Sequence, residues 1–341
     1  MIQIAVIGAG HWGPNLIRNF NNGQKSNVVR VIDRDEQRLA QVKLRFPEIA
    51  TSSDANDAFN DPYVDAVVIA TPTSTHFDLV KAALEANKHV LVEKPISHSV
   101  ETSDVLIALA ESKNRVLMVG HVFLFNGAVR EASRILETGA LGTIFHISMV
   151  RTNLGPIRLD VDASWDLAAH DISVASYLLK SQPISVSAVG GDWINKGVAD
   201  AVFATLTYPG DVLVNLHVSW LNPRKVRDIT IVGDQMMLTI DDMNLNEPIR
   251  IYDKGIRDEV TKPGWADTFG GFRSSVREGN ITIPRVSLGE PLQAECDHFI
   301  ACVSNGTTPI TDGVVGANVV RTLEAISESM ANNGQSVKVK Q

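Results

Sequence analysis

The 341-residue chain contains only two cysteines, Cys296 and Cys302, six positions apart in a helix-type pattern and so on different faces. That scarcity excludes a disulfide framework and reads as two buried thiols in a reducing compartment. His298 and Cys302 are spaced i, i+4, but without two further ligands nearby they do not amount to a structural zinc site, and no metal is expected. Basic residues are also in deficit, with 31 Lys and Arg against 39 Asp and Glu, for a net charge of −8. A general nucleic-acid binder normally shows a basic face, so nucleic acid is excluded as a partner, whereas a local basic pocket for a small anion is not. No apolar stretch approaches the length needed to span a bilayer, so no membrane partner is expected. Met1 leads directly into apolar residues with no basic n-region, so a signal peptide is not expected and the chain is read as cytoplasmic.

What the chain does have is a strong rhythm. Apolar runs alternate with amphipathic stretches over the first 120 residues, the pattern of a parallel sheet with crossover helices. Strands are expected at Ile2–Ile7, Val28–Ile32, Ile49–Thr51, Ala66–Ala70, His89–Val92 and Val116–Val119. Helices are expected at Pro14–Asn21, Glu36–Arg45, Thr75–Ala86 and Val100–Ser112, with Ser97 or Ser99 as the N-cap of the last. After Gly120 the rhythm changes. A helix over Ala128–Thr138, a strand over Thr143–Arg151 and a helix from Ser164 to Leu179 precede a run of short strands. Tyr208-Pro-Gly-Asp211 marks an antiparallel hairpin among them. Residues 253–280 are glycine-rich and read as a long loop, and two helices close the chain. The expected fold is a doubly wound α/β domain over residues 1–120, followed by an α+β domain with an open, mainly antiparallel sheet over 121–341.

The first strand runs into Gly8-x-Gly10-x-x-Gly13 and then into a helix, and Asp33 closes the second strand 20 residues beyond Gly13. The first glycine permits a tight turn, the second close backbone approach to a pyrophosphate, and the third close packing of helix on strand. The helix N-terminus offers N–H donors and a positive dipole end to phosphate. Asp33 is placed to accept from a ribose 2′-hydroxyl, which favours NAD, while the adjacent Arg34 leaves NADP open. The turn of Thr71, Pro72 and His76 follows the fourth strand. Glu93-Lys94-Pro95 follows the fifth, where Pro95 fixes the chain exit and a cis bond would aim Lys94 sharply. Gly120-His121 ends the sixth. Ligands gather outside the carboxyl ends of strands in such sheets, so Lys94 and His121 are placed to meet cofactor or substrate. In the second domain, Asp166 and His170 are i, i+4 neighbours on one helix face, and a carboxylate beside an imidazole suits a general base.

Together these motifs resemble the Gfo/Idh/MocA family of nicotinamide-dependent sugar and inositol oxidoreductases. The landmarks are Gly8-Ala-Gly10-His11-Trp12-Gly13, Thr71-Pro72 with His76, Glu93-Lys94-Pro95 and Asp166-x-x-x-His170. Glu295-Cys-Asp-His-Phe-Ile300, leading to Pro309-Ile-Thr-Asp312-Gly313, also belongs to the pattern. The resemblance implies a Rossmann domain that binds NAD, a second domain whose sheet forms a homodimer or homotetramer, and a catalytic group of Lys94, Asp166 and His170. Many members place glycines before the catalytic aspartate, whereas this chain has Asp162-Ala-Ser-Trp165, so Trp165 is expected to reshape the pocket. His11-Trp12-Gly13-Pro14-Asn15 and Arg151-Thr-Asn153-Leu-Gly155-Pro156 resemble the branch that serves cell-surface polysaccharide biosynthesis. That branch implies oxidation of a nucleotide sugar, such as UDP-N-acetylglucosamine, at C3.

The resulting expectation is an NAD-dependent sugar dehydrogenase. His170 serves as base with Asp166 orienting it and Lys94 stabilising the reacting oxygen, or Lys94 is itself the base. Arg151, Asn153, Arg158, Trp165 and Lys225 are the candidate substrate contacts, the cations for phosphate and the indole for sugar stacking. The alternatives are a free-sugar or inositol dehydrogenase, a glycoside hydrolase that keeps its NAD, and a non-catalytic nucleotide-binding sensor.

Overall fold

The computed structural model describes residues 1–155, 157, 158, 161–256 and 276–340. Pro156 and most of the loop expected over 253–280 lie outside the described residues. The chain forms two compact units, residues 1–125 with 289–321, and residues 126–288 with 322–341. The sequence puts the boundary at residue 120, whereas the first compact unit runs to residue 125 and takes the chain up again at residue 289. Helix Pro291–Asn305 carries Leu292, Cys296, Phe299 and Ile300 on a buried face and belongs to the first unit. Its Phe299 ring meets Phe20 edge-on at 6.2 Å, a contact between residues 279 positions apart that local periodicity does not reveal.

The first unit holds a six-stranded sheet of β1 (Ile2–Ile7), β2 (Ser26–Ile32), β3 (Ala50–Ser52), β4 (Ala66–Ile69), β5 (His89–Glu93) and β6 (Leu117–Gly120). Their spatial order is β3-β2-β1-β4-β5-β6, and the described pairings between them are parallel. This is the doubly wound order, with its switch point between β1 and β4. Strands β4 and β5 are almost continuous apolar runs because both faces of a parallel sheet are covered. The crossover helices are α1 (Gly13–Asn22), α2 (Glu36–Arg45), the short α3 (Asn56–Phe59), α4 (His76–Glu85) and α5 (Val100–Ser112). The Ser99 hydroxyl caps α5 by accepting from the N–H of Thr102, which settles the cap on Ser99 rather than Ser97.

The second unit is built on a nine-stranded sheet. Its central strand, β7 (Ile144–Leu154), pairs in parallel with β10 (Val212–Ser219) and antiparallel with β11 (Leu221–Gly233). The other described pairings in this sheet are antiparallel. β9 (Ala201–Tyr208) and β10 form the expected hairpin, with Gly210 at φ +78° and Asp211 at φ +59° making its turn. Helices α6 (Gly127–Glu137) and α7 (Ala169–Leu179) lie in this unit. The regular helix expected from Ser164 is not what forms: Ser164–Ala168 is a π-helical turn, and the N–H of Ala169 reaches the carbonyl of Ser164 five residues back. Among the described residues, no helix is long and apolar enough to cross a membrane.

Candidate active site

In the first unit the expected cofactor residues lie at the carboxyl ends of β1, β2, β4, β5 and β6. Gly8 adopts φ +102°, and a Cβ there would stand 2.6 Å from the carbonyl oxygen of Ala70. A Cβ at Gly13 would lie 2.1 Å from the carbonyl oxygen of Gly8, so only glycine lets α1 start this close to the turn. No side chain caps α1, whose N-cap is Trp12; Pro14 carries no N–H and that of Asn15 donates to the Trp12 carbonyl at 3.0 Å, so an anion at this turn would meet chiefly the backbone N–H of Gly13. His11 and Trp12 are exposed beside this turn, their rings edge-on at 6.1 Å. The backbone cradle therefore fits a dinucleotide pyrophosphate.

Asp33 ties the turn to the end of β2. Its Oδ2 accepts from the N–H of Ala9 at 2.7 Å and its Oδ1 from the N–H of Asp35 at 2.9 Å. Arg34 is exposed. The sequence reading overlooked Arg38, one turn into α2. Its Nη1 lies 3.6 Å from Asp33 Oδ2, its Nε lies 3.3 Å from Asp35 Oδ2, and a Cβ on Gly10 would stand 3.4 Å from Nη1. The cation expected near the ribose at Arg34 is thus also present, with its contacts on the page, at Arg38. Its signal in the sequence was the spacing of five residues from Asp33 to one helical turn later.

His76 is a brace. Its Nδ1 lies 2.8 Å from the carbonyl of Pro95 and its Nε2 lies 2.9 Å from the carbonyl of Thr71. Buried, and within reach of both carbonyls, His76 joins the Thr71–Pro72 turn to the Lys94–Pro95 loop. The Lys94–Pro95 bond is cis. Thr71 and Thr75 hydroxyls meet at 2.7 Å and Thr75 also donates to the carbonyl of Pro72, which closes the turn before α4.

Around Lys94 the charges are unusual. Burial raises the Glu93 carboxyl to about 7, against the pull of Lys94 and of the Lys94 backbone N–H, which donates to it. His121 is almost fully buried, and burial together with the Lys94 charge lowers it to about 3, so its imidazole is neutral at physiological pH. Glu295, on helix Pro291–Asn305, is fully buried, and both of its carboxyl oxygens lack a hydrogen-bond partner among the described residues. Burial and then the Glu93 charge push its carboxyl well above the ordinary range. The Lys94 neighbourhood therefore keeps two carboxyls that resist ionisation, which preserves a low-dielectric setting beside the lysine. In the sequence Glu295 stands in the family pattern Glu295-Cys-Asp-His-Phe-Ile300 as an acid among the apolar positions of a helix.

The second unit holds Asp166 and His170. Asp162 opens the π-helical turn, its Oδ1 accepting from the N–H groups of Ser164 at 2.9 Å and Trp165 at 3.1 Å. Asp166 sits inside this π-helical turn and His170 follows it in the first turn of α7. Asp166 Oδ1 accepts from Arg158 Nη1 at 3.2 Å and Oδ2 from Trp220 Nε1 at 3.2 Å. Trp165 donates its indole N–H to Ser327 at 3.1 Å.

The expected substrate cations divide. Arg151 does not offer its charge to a phosphate: it is 7% exposed, and its Nε donates to Asp171 Oδ1 at 2.8 Å inside the core. β7 alternates its side chains and turns Arg151 towards α7, where Asp171 stands. Arg158 is partly exposed, Lys225 is exposed on β11, and Asn153 is half-buried near the end of β7.

Known proteins share this architecture. Residues 2–121 match the Gfo/Idh/MocA profile described as an oxidoreductase family with an NAD-binding Rossmann fold, and residues 129–239 match a C-terminal domain of the same family. The UDP-N-acetylglucosamine 3-dehydrogenase of Acidithiobacillus ferrooxidans is 29% identical over 94% of both chains. The scyllo-inositol 2-dehydrogenase (NAD(+)) of Bacillus subtilis is 26% identical over 92% of this chain and 89% of its own. A solved structure of the Acidithiobacillus ferrooxidans UDP-N-acetylglucosamine 3-dehydrogenase GnnA superposes with a TM-score of 0.82 at 26% identity, covering 98% of this chain and 99% of its own.

Proposed function

Because the chain belongs to the Gfo/Idh/MocA oxidoreductases and carries their NAD-binding Rossmann domain, we propose that it oxidises a ring hydroxyl of a nucleotide sugar, at C3 of a UDP-N-acetylglucosamine-like substrate. The observation that carries the substrate class is the similarity to the UDP-N-acetylglucosamine 3-dehydrogenase over 94% of both chains. A second reading, oxidation of a free inositol, is favoured by the similarity to the scyllo-inositol enzyme over 92% of this chain.

Bound NAD supplies the hydride acceptor. Gly8, Gly10 and Gly13 would hold its pyrophosphate, and Asp33 with Arg38 would hold its adenosine ribose. The residues of the chain manage the proton. His170 takes the hydroxyl proton as base, while Lys94 hydrogen-bonds the same oxygen and stabilises the charge that develops there. Asp166, held by Arg158 and Trp220, supplies the carboxylate of this group. With Arg151 committed to Asp171, anchoring of a diphosphate falls to Arg158 and Lys225. The exposed Phe203 and Leu213 on the nine-stranded sheet are read as part of a self-association surface.

The test is a panel of UDP- and TDP-sugars, glucose and myo-inositol, with NADH formation followed by absorbance. Accumulation of NADH with a nucleotide sugar supports the proposal. Efficient turnover of inositol alone favours the second reading. Product formation without NADH points to a glycosidase that recycles its cofactor, and no turnover of any sugar points to a sensor.

A further inference from the structure

We infer that Trp220 is a positioning residue for this oxidation, its indole N–H fixing the carboxylate of Asp166 within the π-helical turn. The inference rests on the reading of Asp166 as part of the catalytic group. Trp220 is 1% exposed and lies between the last residue of β10 and the first of β11. Its backbone is held on both sides: its N–H donates to the carbonyl of Asp200 at 3.0 Å, and its carbonyl accepts from the N–H of Gly155 at 3.3 Å. The side chain is thereby delivered to one place, with Nε1 3.2 Å from Asp166 Oδ2.

Two features make this more than packing. An indole N–H is a donor and never an acceptor, so in this geometry it favours the ionised carboxylate and one orientation of it. A buried indole would be satisfied by any acceptor, including a backbone carbonyl, yet here the acceptor is the aspartate of the candidate catalytic segment. The π-helical turn supplies the second feature. Such turns are frequent at functional sites, and this one carries Asp166. Arg158, on the irregular segment before the helix and partly exposed, holds the other oxygen, and the fully buried Trp220 supplies the partner fixed by the sheet.

The experiment is a double-mutant cycle on kcat using Trp220→Phe and Asp166→Asn, with NADH affinity and melting temperature measured for each variant. Trp220→Phe keeps an apolar ring and removes the N–H. We expect kcat to fall by about tenfold or more, as misplacement of a catalytic group does, with NADH affinity unchanged. In the Asp166→Asn background the same substitution should cost less than about twofold, since coupled residues are not additive. Equal costs in both backgrounds would show a packing role and overturn the inference, while leaving an impaired Asp166→Asn to support the catalytic reading. Wild-type turnover by Asp166→Asn would overturn both. Should Trp220→Phe fail to fold, the indole NMR signals of the five tryptophans decide the matter. One of them should move in Asp166→Asn, and five unmoved signals would overturn the contact.

Discussion

Arg151 and Asp171 form a buried ion pair, Nη2 to Oδ1 at 2.7 Å, joining the central strand β7 to helix α7, one residue past His170. Removing one member leaves a charge in the core without its counterion, a loss that typically costs about 3–5 kcal/mol. Arg151→Ala should therefore lower unfolding stability by that order in denaturant titration, and Arg151→Met combined with Asp171→Leu should recover much of it. A stable Arg151→Ala protein with weakened substrate binding would return Arg151 to the phosphate site.

The Lys94 neighbourhood predicts how stability follows pH. Glu93 is raised to about 7 and Glu295 well above the ordinary range, both mainly by burial. A carboxyl whose pKa is raised by folding contributes fully below its unfolded value of about 4.3, and that contribution is lost as pH rises through the folded value. The melting temperature of the cofactor-free protein should fall between pH 5 and pH 8, as measured by calorimetry. Glu295→Gln, a near-isostere of the protonated acid, should flatten that decline. An identical slope in the variant would contradict the assignment.

Cofactor choice should depend on Asp33 and Arg38 together. Asp33→Ser removes two backbone contacts and a negative charge, so NADH affinity should fall by roughly tenfold or more, consistent with the loss of charge-assisted hydrogen bonds. NADPH affinity should fall less, or rise. Arg38→Ala in the Asp33→Ser background should abolish that gain. The readout is quenching or enhancement of reduced-nicotinamide fluorescence, which needs no substrate. Equal loss for both cofactors would contradict the placement of Asp33 at the ribose.

Lys94→Ala and His170→Ala should each reduce turnover by about 100-fold or more, in keeping with loss of an acid–base group. Both should retain NADH binding, because the glycine turn and Asp33 are untouched. Near-normal turnover in either would remove that residue from the mechanism.

Much of this was legible in the sequence because its signals are local. The strand at Ile2–Ile7, the glycine turn and Asp33 lie within 33 consecutive residues, and each follows from backbone geometry that the neighbours dictate. The hairpin at Tyr208–Asp211 is local in the same way. What stayed hidden depends on distant contacts or on register. Arg151 is one arginine among several until β7 turns it towards Asp171. The π-helical turn has no periodic signature, and the bond from Trp220 to Asp166 joins residues 54 positions apart. Two helices close the chain in the sequence reading, and contacts such as Phe299 against Phe20 and Arg18 with Glu290 show that residues 289–321 complete the first unit.

The central claim is hydride transfer from C3 of a nucleotide sugar. Its most direct measurement uses UDP-N-acetylglucosamine deuterated at C3, with mass analysis of the reduced cofactor and comparison of labelled with unlabelled rates. The account predicts NADH one mass unit heavier and a slower labelled reaction wherever the chemical step limits turnover. Unlabelled NADH formed from that substrate, or no NADH from it while free inositol is oxidised efficiently, would contradict the account.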